Sequence, residues 1–147
     1  MAPRDIDLAT EVGQVLEVWT EGTAQVDLAT APRVHADPFR VRQILRNLLS
    51  NAARYGTPPV RISAENAGSD HVVLLVQDGG AGLSADQWDR IFDPYHRATD
   101  RATPSGSVGL GLTVSRHLAE VMGGTLDYLI HDGMSTFRLR LPRASGS

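Results

Sequence analysis

The chain has 147 residues, of which 41% are hydrophobic and 21% charged, with a formal net charge of −3 and no cysteine. These values are typical of one soluble globular domain over residues 1–147, and they exclude a disordered, fibrous or disulfide-stabilised chain. Because the net charge is negative and the longest apolar runs fall far short of the ~20 residues that span a bilayer, we expect neither nucleic acid nor direct membrane contact.

The predicted elements begin with a helix and two short strands. Apolar residues recur at helical spacing from Leu8 to Trp19, and Gly22 follows where a helix can end. Residues 24–28 alternate polar and apolar side chains as a strand does, and residues 34–36 predict a second short strand.

The clearest helix in the sequence follows these strands. Asp37 and Pro38 are typical of an N-cap with proline in the first helical position. The predicted helix ends at residues 57–59, where a threonine precedes two prolines. Its apolar stripe consists of Val41, Ile44, Leu45, Leu48, Leu49 and Ala52.

Two strands and a glycine loop come next. Alternation predicts a strand over residues 60–64, a turn at 67–70 and a buried strand over 71–77. The glycine cluster of residues 78–82 predicts a loop, and a capping-box pattern predicts a short helix over residues 84–92.

Residues 93–108 combine proline, serine, threonine, glycine and charged residues without periodicity, which predicts a mobile lid. A third long helix follows, and Gly123 and Gly124 end it. Its predicted apolar stripe consists of Leu110, Val114, Leu118, Val121 and Met122.

The chain ends in a predicted β-hairpin. Residues 126–130 alternate, residues 132–133 supply an Asp-Gly turn, and residues 137–141 alternate apolar side chains with arginines. Together the elements predict an α+β fold, a two-layer α/β sandwich in which a mixed sheet is covered on one face by helices.

Two asparagines lie one turn apart on the second long helix. Asn47 and Asn51 share one helical face, and Arg54 and Tyr55 follow on the next turn. An amide oxygen of Asn51 is a hard ligand of the kind that Mg²⁺ accepts, and Arg54 can bind a phosphate through charge-assisted hydrogen bonds. Taken alone, the pair also fits a solvent-exposed polar face.

A glycine-rich turn follows the most hydrophobic strand. Residues 78–83 read Asp-Gly-Gly-Ala-Gly-Leu. The carboxylate at the mouth of the strand can accept a hydrogen bond from an exocyclic amine, and the glycines let the backbone approach a flat ring closely. A plain strand-ending Asp-Gly turn is the alternative for this cluster by itself.

A second glycine-rich run, residues 106–112, opens the third long helix. Backbone N–H groups at such a helix N-terminus form an anion site that suits phosphates. The run lacks the Gly-Lys-Ser/Thr of a P-loop, and it is not a convincing dinucleotide fingerprint.

An aromatic cluster, residues 91–97, begins the predicted lid. In order and spacing, the four clusters resemble the ATP-binding domains of histidine kinases, which belong to the wider family of gyrase, Hsp90 and MutL. There they are called the N box, the first glycine box, the F box and the second glycine box. The resemblance covers residues 5–142 and implies a Bergerat fold that binds ATP and Mg²⁺.

The resemblance implies a role for each matching residue. Asn51 matches the Mg²⁺-binding asparagine, Asn47 its partner one turn earlier, and Arg54 the position usually held by a phosphate-contacting lysine. Asp78 matches the aspartate that binds the adenine amine, and Thr136 the threonine that reaches adenine through water. The other matches to the ATP pocket, the F box and the second glycine box are Tyr55, Gly80, Gly82, Phe92, Tyr95, Arg97, Ser107, Gly109, Leu110 and Gly111.

Asn47 distinguishes the histidine kinases from the other branches in this resemblance. Gyrase, Hsp90, MutL and the anti-sigma serine kinases carry a glutamate there, which acts as a general base, whereas a neutral amide takes up no proton at neutral pH. An imidazole acceptor is itself a nucleophile, so its kinase needs positioning and charge neutralisation instead. The prediction is a protein histidine kinase with Asn47, Asn51 and Arg54 as catalytic residues.

None of the five histidines has the sequence context of a phosphoacceptor. In the family the acceptor lies on a helix and is followed by an acid, whereas His131, the one histidine that precedes an acid, lies at the predicted hairpin turn. We therefore expect the dimerisation and phosphoacceptor domain to be absent from this chain and to act in cis in a longer protein or on another chain. The resemblance also implies a response regulator downstream and a cytoplasmic location, with a parent protein that can be a membrane-bound sensor.

Two alternatives remain open from the sequence. A regulatory nucleotide-binding module without chemistry carries the same four clusters, and only a phosphotransfer assay separates it from a kinase. A gyrase- or chaperone-type ATPase domain is disfavoured by Asn47 and by the short predicted lid.

Overall fold

The computed structural model describes residues 2–20, 22–28, 33–79, 108–131 and 133–144, and for residues 54, 55 and 108–110 it describes the backbone alone. In chain order, the elements of these residues are β1 (Arg4–Ile6), α1 (Leu8–Val18), β2 (Ala24–Asp27), β3 (Val34–Ala36), α2 (Pro38–Tyr55), β4 (Val60–Ala67), β5 (His71–Asp78), α3 (Val108–Val121), β6 (Thr125–His131) and β7 (Met134–Pro142).

Five strands form a mixed sheet in the order β2-β4-β5-β7-β6. β2 runs parallel to β4, and the other neighbouring pairs are antiparallel. The predicted α+β sandwich with a mixed sheet is confirmed. β1 pairs with β3 in a separate two-stranded ribbon; the sequence did not predict β1, because only Ile6 of its three residues is buried.

The core lies between one face of the five-stranded sheet and the helices. The register pairs Leu74 with Leu139 and Val76 with Phe137. Because side chains alternate across a strand, these four residues share a face, and all of them belong to the buried core. The stripe predicted for α2 is buried as a whole: Val41, Ile44, Leu45, Leu48, Leu49 and Ala52.

The N-terminus of α2 is capped as the sequence predicts. The Asp37 side chain accepts a hydrogen bond from the Phe39 backbone N–H at 2.9 Å, and Pro38 is the first helical residue. The backbone N–H of Ala2 also donates to Asp37, at 2.9 Å. These donors, Ala2 first, lower the pKa of Asp37 below its usual value, although burial partly opposes them.

α3 packs through only part of the stripe that its sequence pattern indicates, because Met122 is buried and Leu118 packs against the core. Val114 and Val121, both in the predicted stripe, are 41% and 51% exposed. The helix turns a face with a small polar residue toward α2, because Ser115 receives a hydrogen bond from Asn47 there. The residues of α3 and its end that are buried are Leu112, Ser115, Ala119 and Met122.

Several boundaries of the predicted elements differ from those in the structure, and others lie outside the described residues. Asp78 is the last residue of β5 and not the first of a loop, and Val108 is the first residue of α3 and not the last of the lid. The predicted short helix over residues 84–92 and the predicted lid before Val108 lie outside the described residues. In the part of the chain that the structure describes, no helix combines the length and apolarity needed to cross a bilayer.

Candidate functional site

Asp78 ends β5 with its side chain on the sheet face that meets the helices, because it follows the alternation of Leu74 and Val76. It is only 7% exposed. Its Oδ1 accepts a hydrogen bond from the backbone N–H of Thr57 at 3.2 Å. A buried carboxylate is therefore held against the turn that follows α2.

The turn after α2 contacts β5 at a second point. The backbone N–H of Gly79 donates to the carbonyl oxygen of Thr57 at 2.6 Å. Gly56 is the C-cap of α2, and its N–H donates to the carbonyl oxygen of Ala52. Backbone hydrogen bonds thus join the end of α2 to the end of β5, with the Asp78 carboxylate between them.

Asn47 faces α3 from the middle of α2. Its Nδ2 donates to the carbonyl oxygen of Gly111 at 3.1 Å and to the Ser115 hydroxyl at 2.8 Å. Because a carbonyl oxygen only accepts, the contact with Gly111 determines which end of the amide is the nitrogen. The helix face predicted as the N box and the run predicted as the second glycine box are therefore in direct contact.

Asn51 lies one turn after Asn47 and is half-buried. Among the described residues, no group of three His, Cys, Asp or Glu side chains could hold a metal ion. One amide oxygen nevertheless fits Mg²⁺, because this ion keeps several waters and commonly takes its remaining ligands from substrate phosphates. The donor chemistry thus fits a metal that arrives with a nucleotide, and it does not fit an all-protein cage.

The structure does not bring Thr136 to Asp78. The register pairs Thr136 with Gln77 and Ser135 with Asp78, so Thr136 lies on the opposite face of the sheet from Asp78. The Thr136 hydroxyl donates to the carbonyl oxygen of Met134 at 3.0 Å and accepts from Gln77 Nε2 at 3.2 Å. Ser135 is the buried hydroxyl on the side of Asp78.

Ser135 was not predicted as a site residue, although the sequence pattern contains a signal for it. The alternation of residues 137–141 puts Ser135 in phase with the buried Phe137, and Thr136 in phase with the exposed Arg138. In the structure the Tyr128 hydroxyl lies 2.6 Å from Ser135 Oγ. Tyr128 itself packs edge to face on Phe137, with ring centroids 5.0 Å apart.

The remaining predicted site residues are described in part or not at all. Arg54 and Tyr55 lie in the last turn of α2, and the run from Gly109 through Leu110 to Gly111 lies in the first turn of α3. The predicted residues outside the described part of the chain are Gly80, Gly82, Phe92, Tyr95, Arg97 and Ser107.

Residues 36–145 match the family described as histidine kinase-, DNA gyrase B-, and HSP90-like ATPase. This range contains α2, the end of β5, α3 and the β6–β7 hairpin. The chain belongs to this ATPase family.

Curated relatives of the chain include sensor histidine kinases. The chain is 34% identical over 145 residues to the signal transduction histidine-protein kinase AfsQ2 of Streptomyces coelicolor, a match of 95% of this chain and 26% of that protein. It is 34% identical over 154 residues to the sensor histidine kinase ZraS of Escherichia coli, a match of 97% of this chain and 31% of that protein. The chain thus spans about a quarter to a third of the length of these relatives.

Solved histidine kinase structures share the fold of this ATPase family member. The mycobacterial sensor histidine kinase MprB superposes with a TM-score of 0.78 at 21% identity, over 97% of this chain and 99% of that one. Full-length ShkA in complex with AMPPNP superposes with a TM-score of 0.77 at 25% identity, over 100% of this chain and 32% of that one. The predicted histidine kinase ATP-binding domain is confirmed.

Proposed function

We propose that the domain binds Mg-ATP and donates the γ-phosphoryl group to a histidine on a dimerisation and phosphoacceptor domain. That domain acts in cis in a longer protein or on another chain, and a response regulator receives the phosphoryl group downstream. The observation that carries the proposal is Asn47, whose neutral amide is bonded to the first turns of α3. A domain with an amide at this position has no base there and suits an acceptor that needs none.

The adenine end of the proposed site is the Asp78 carboxylate. It is buried and already held through Oδ1 by the Thr57 N–H. A buried carboxylate favours an amine donor and disfavours a carbonyl oxygen, because two acceptors facing each other leave both unsatisfied. In this proposal Ser135, paired with Asp78 in the sheet, takes the role that the sequence analysis gave to Thr136.

The phosphate end of the proposed site is the first turn of α3 with the last turns of α2. Backbone N–H groups in the first turn of α3, such as those of Gly109 and Leu110, have no acceptor within the helix and are suited to phosphate oxygens. We assign Asn51 as the protein ligand of Mg²⁺ and Arg54 as a phosphate contact. The bound ion would offset the negative charge of the phosphates.

The proposed chemistry is positioning of ATP for an external nucleophile. A bond forms between an imidazole nitrogen and the γ-phosphorus, and the bond from that phosphorus to the bridging oxygen of the departing ADP breaks. The contact of Asn47 with Gly111 keeps the N box and the phosphate-binding turn in fixed relation. Such positioning lowers the barrier by up to roughly 7–11 kcal/mol in favourable cases.

The test mixes the purified domain with γ-labelled Mg-ATP and a separate phosphoacceptor-helix domain, either the one encoded with this chain or that of AfsQ2. We expect acid-labile, base-stable label on the added helices and none on the domain. Tight ATP binding without transfer to its own acceptor would identify a regulatory module. Rapid ADP release without any acceptor would identify a gyrase- or chaperone-type ATPase.

A further inference from the structure

The space beside Gly56 where a side chain would begin is filled by the Asp78 carboxylate. The φ of −92° and ψ of −174° of Gly56 are extended values that any residue adopts, so the backbone does not require glycine here. A Cβ on Gly56 would lie 2.6 Å from both Cγ and Oδ2 of Asp78, and 2.8 Å from the carbonyl oxygen of Ala52. A side chain at this position therefore requires its neighbours, the Asp78 carboxylate first, to shift, although the backbone conformation itself would accept one.

The two oxygens of Asp78 meet different parts of the same turn. Oδ1 accepts the Thr57 N–H, whereas Oδ2 occupies the space that a Cβ on Gly56 would take. The Thr57 carbonyl oxygen accepts the Gly79 N–H at 2.6 Å, which fixes the turn to the end of β5. The turn thus restricts rotation of the Asp78 carboxylate about the Cβ–Cγ bond from two sides.

We propose that Gly56 and the backbone N–H of Thr57 form a specificity-determining turn, which fixes the plane of the Asp78 carboxylate and so selects adenine over guanine. This inference rests on the proposed function, because it concerns the same carboxylate. The selection has a geometric cause. A hydrogen bond weakens steeply when its angle departs from linearity, so a rotated carboxylate loses its advantage for an amine donor.

The first experiment measures ATP and GTP affinity of Gly56→Ala by calorimetry. The added methyl group pushes the carboxylate out of its plane, and we expect the ratio of ATP to GTP affinity to fall by about tenfold, as for one lost hydrogen bond to a charged group. The gain in ATP affinity on adding Mg²⁺ stays as in the wild type. A matched control is Gly13→Ala on α1, where a Cβ meets no atom within 4 Å; it leaves the ratio unchanged. Equal losses for both nucleotides in Gly56→Ala would show a purely structural glycine and overturn the inference.

A second experiment tests the inference even if the Gly56→Ala variant folds too poorly for calorimetry. Thermal unfolding without nucleotide is compared for Gly56→Ala in the wild type and in an Asp78→Ala background. If the contact with Asp78 matters, the loss of melting temperature is smaller in the second background, whereas additive losses overturn the inference. This result does not depend on nucleotide. The wild-type domain could bind neither ATP nor GTP while the Gly56→Ala and Asp78→Ala effects on melting temperature are still non-additive. That result would refute the proposed function and the selection role, but it would establish the contact between the two residues.

Discussion

Asn47 and Ser115 are joined across the two long helices, with the amide nitrogen of Asn47 2.8 Å from the Ser115 hydroxyl. Ser115 is fully buried, and such a hydroxyl needs a partner because an unsatisfied polar group inside a protein is destabilising. The pair therefore fixes how α3 sits on α2 and keeps the start of α3 beside the two asparagines.

Removing the Ser115 hydroxyl tests the hydrogen bond between Asn47 and Ser115. We expect Ser115→Ala to lower the free energy of unfolding by about 1 kcal/mol, as for one hydrogen bond, and to slow phosphotransfer more than it weakens ATP binding. Urea unfolding, single-turnover phosphotransfer and titration with ATP measure these three quantities. In an Asn47→Ala background the same change should have a smaller effect on stability; fully additive losses would mean that the two side chains do not interact.

Replacing Asp78 tests the adenine end of the site. The wild-type domain should bind ATP much more tightly than GTP, and Asp78→Ala should bind both poorly, because the buried acceptor is gone. Calorimetry with each nucleotide gives the comparison, and the exposed Asp27 on β2 supplies the control variant Asp27→Asn. Equal wild-type affinities for ATP and GTP would remove Asp78 from base recognition.

Replacing Asn51 tests the metal end. Asn51→Ala should leave adenosine binding nearly intact and abolish the gain in ATP affinity that Mg²⁺ produces, because alanine offers no oxygen ligand. Titrations of ATP with and without Mg²⁺ measure that gain directly, and Gln25→Ala on β2 is the matched loss of an exposed amide. A mutant with the wild-type response to Mg²⁺ would show that Asn51 is not the ligand.

Adjacent substitutions on β7 test the register. Ser135→Ala should weaken ATP binding by about tenfold, the effect of losing one hydrogen bond from Ser135 toward the adenine. Thr136→Val should lower stability, because Gln77 and Met134 lose their partner, but should leave ATP affinity unchanged. Affinity and thermal melting are measured for both variants. The reverse pattern would restore Thr136 to the adenine site.

The cap of α2 makes stability depend on pH. The Ala2, Phe39 and Arg40 N–H groups lower the pKa of Asp37 in the folded state, so its stabilisation is complete above the unfolded value of about 3.9 and is lost as pH falls through the lower folded pKa. Asp37→Asn keeps a capping oxygen without that titration. Urea unfolding should therefore show a stability advantage of the wild type that shrinks on acidification below about pH 4. A constant difference down to pH 2 would exclude Asp37 as the titrating group.

Local patterns in the sequence were sufficient for most elements. The stripe of α2 and its Asp37–Pro38 start were predicted correctly because helical periodicity and capping involve neighbours within one or two turns. The hairpin was predicted for the same reason. The stripe of α3 was predicted only in part: Leu118 and Met122 pack in or against the core, whereas the apolar Val114 and Val121 are exposed. The contact with α2 is formed around Ser115 instead.

The sequence by itself determined the fold class and the order of the four clusters, because both depend on periodicity and residue type along the chain. The tertiary structure decided which of those residues meet. Asn47 and Ser115 are 68 positions apart, and Thr57 and Asp78 are 21 positions apart. The register of β5 against β7 put Ser135, and not Thr136, on the side of Asp78. Each of these contacts follows from the packing of one complete element on another, since a shift of one residue in a strand exchanges its two faces.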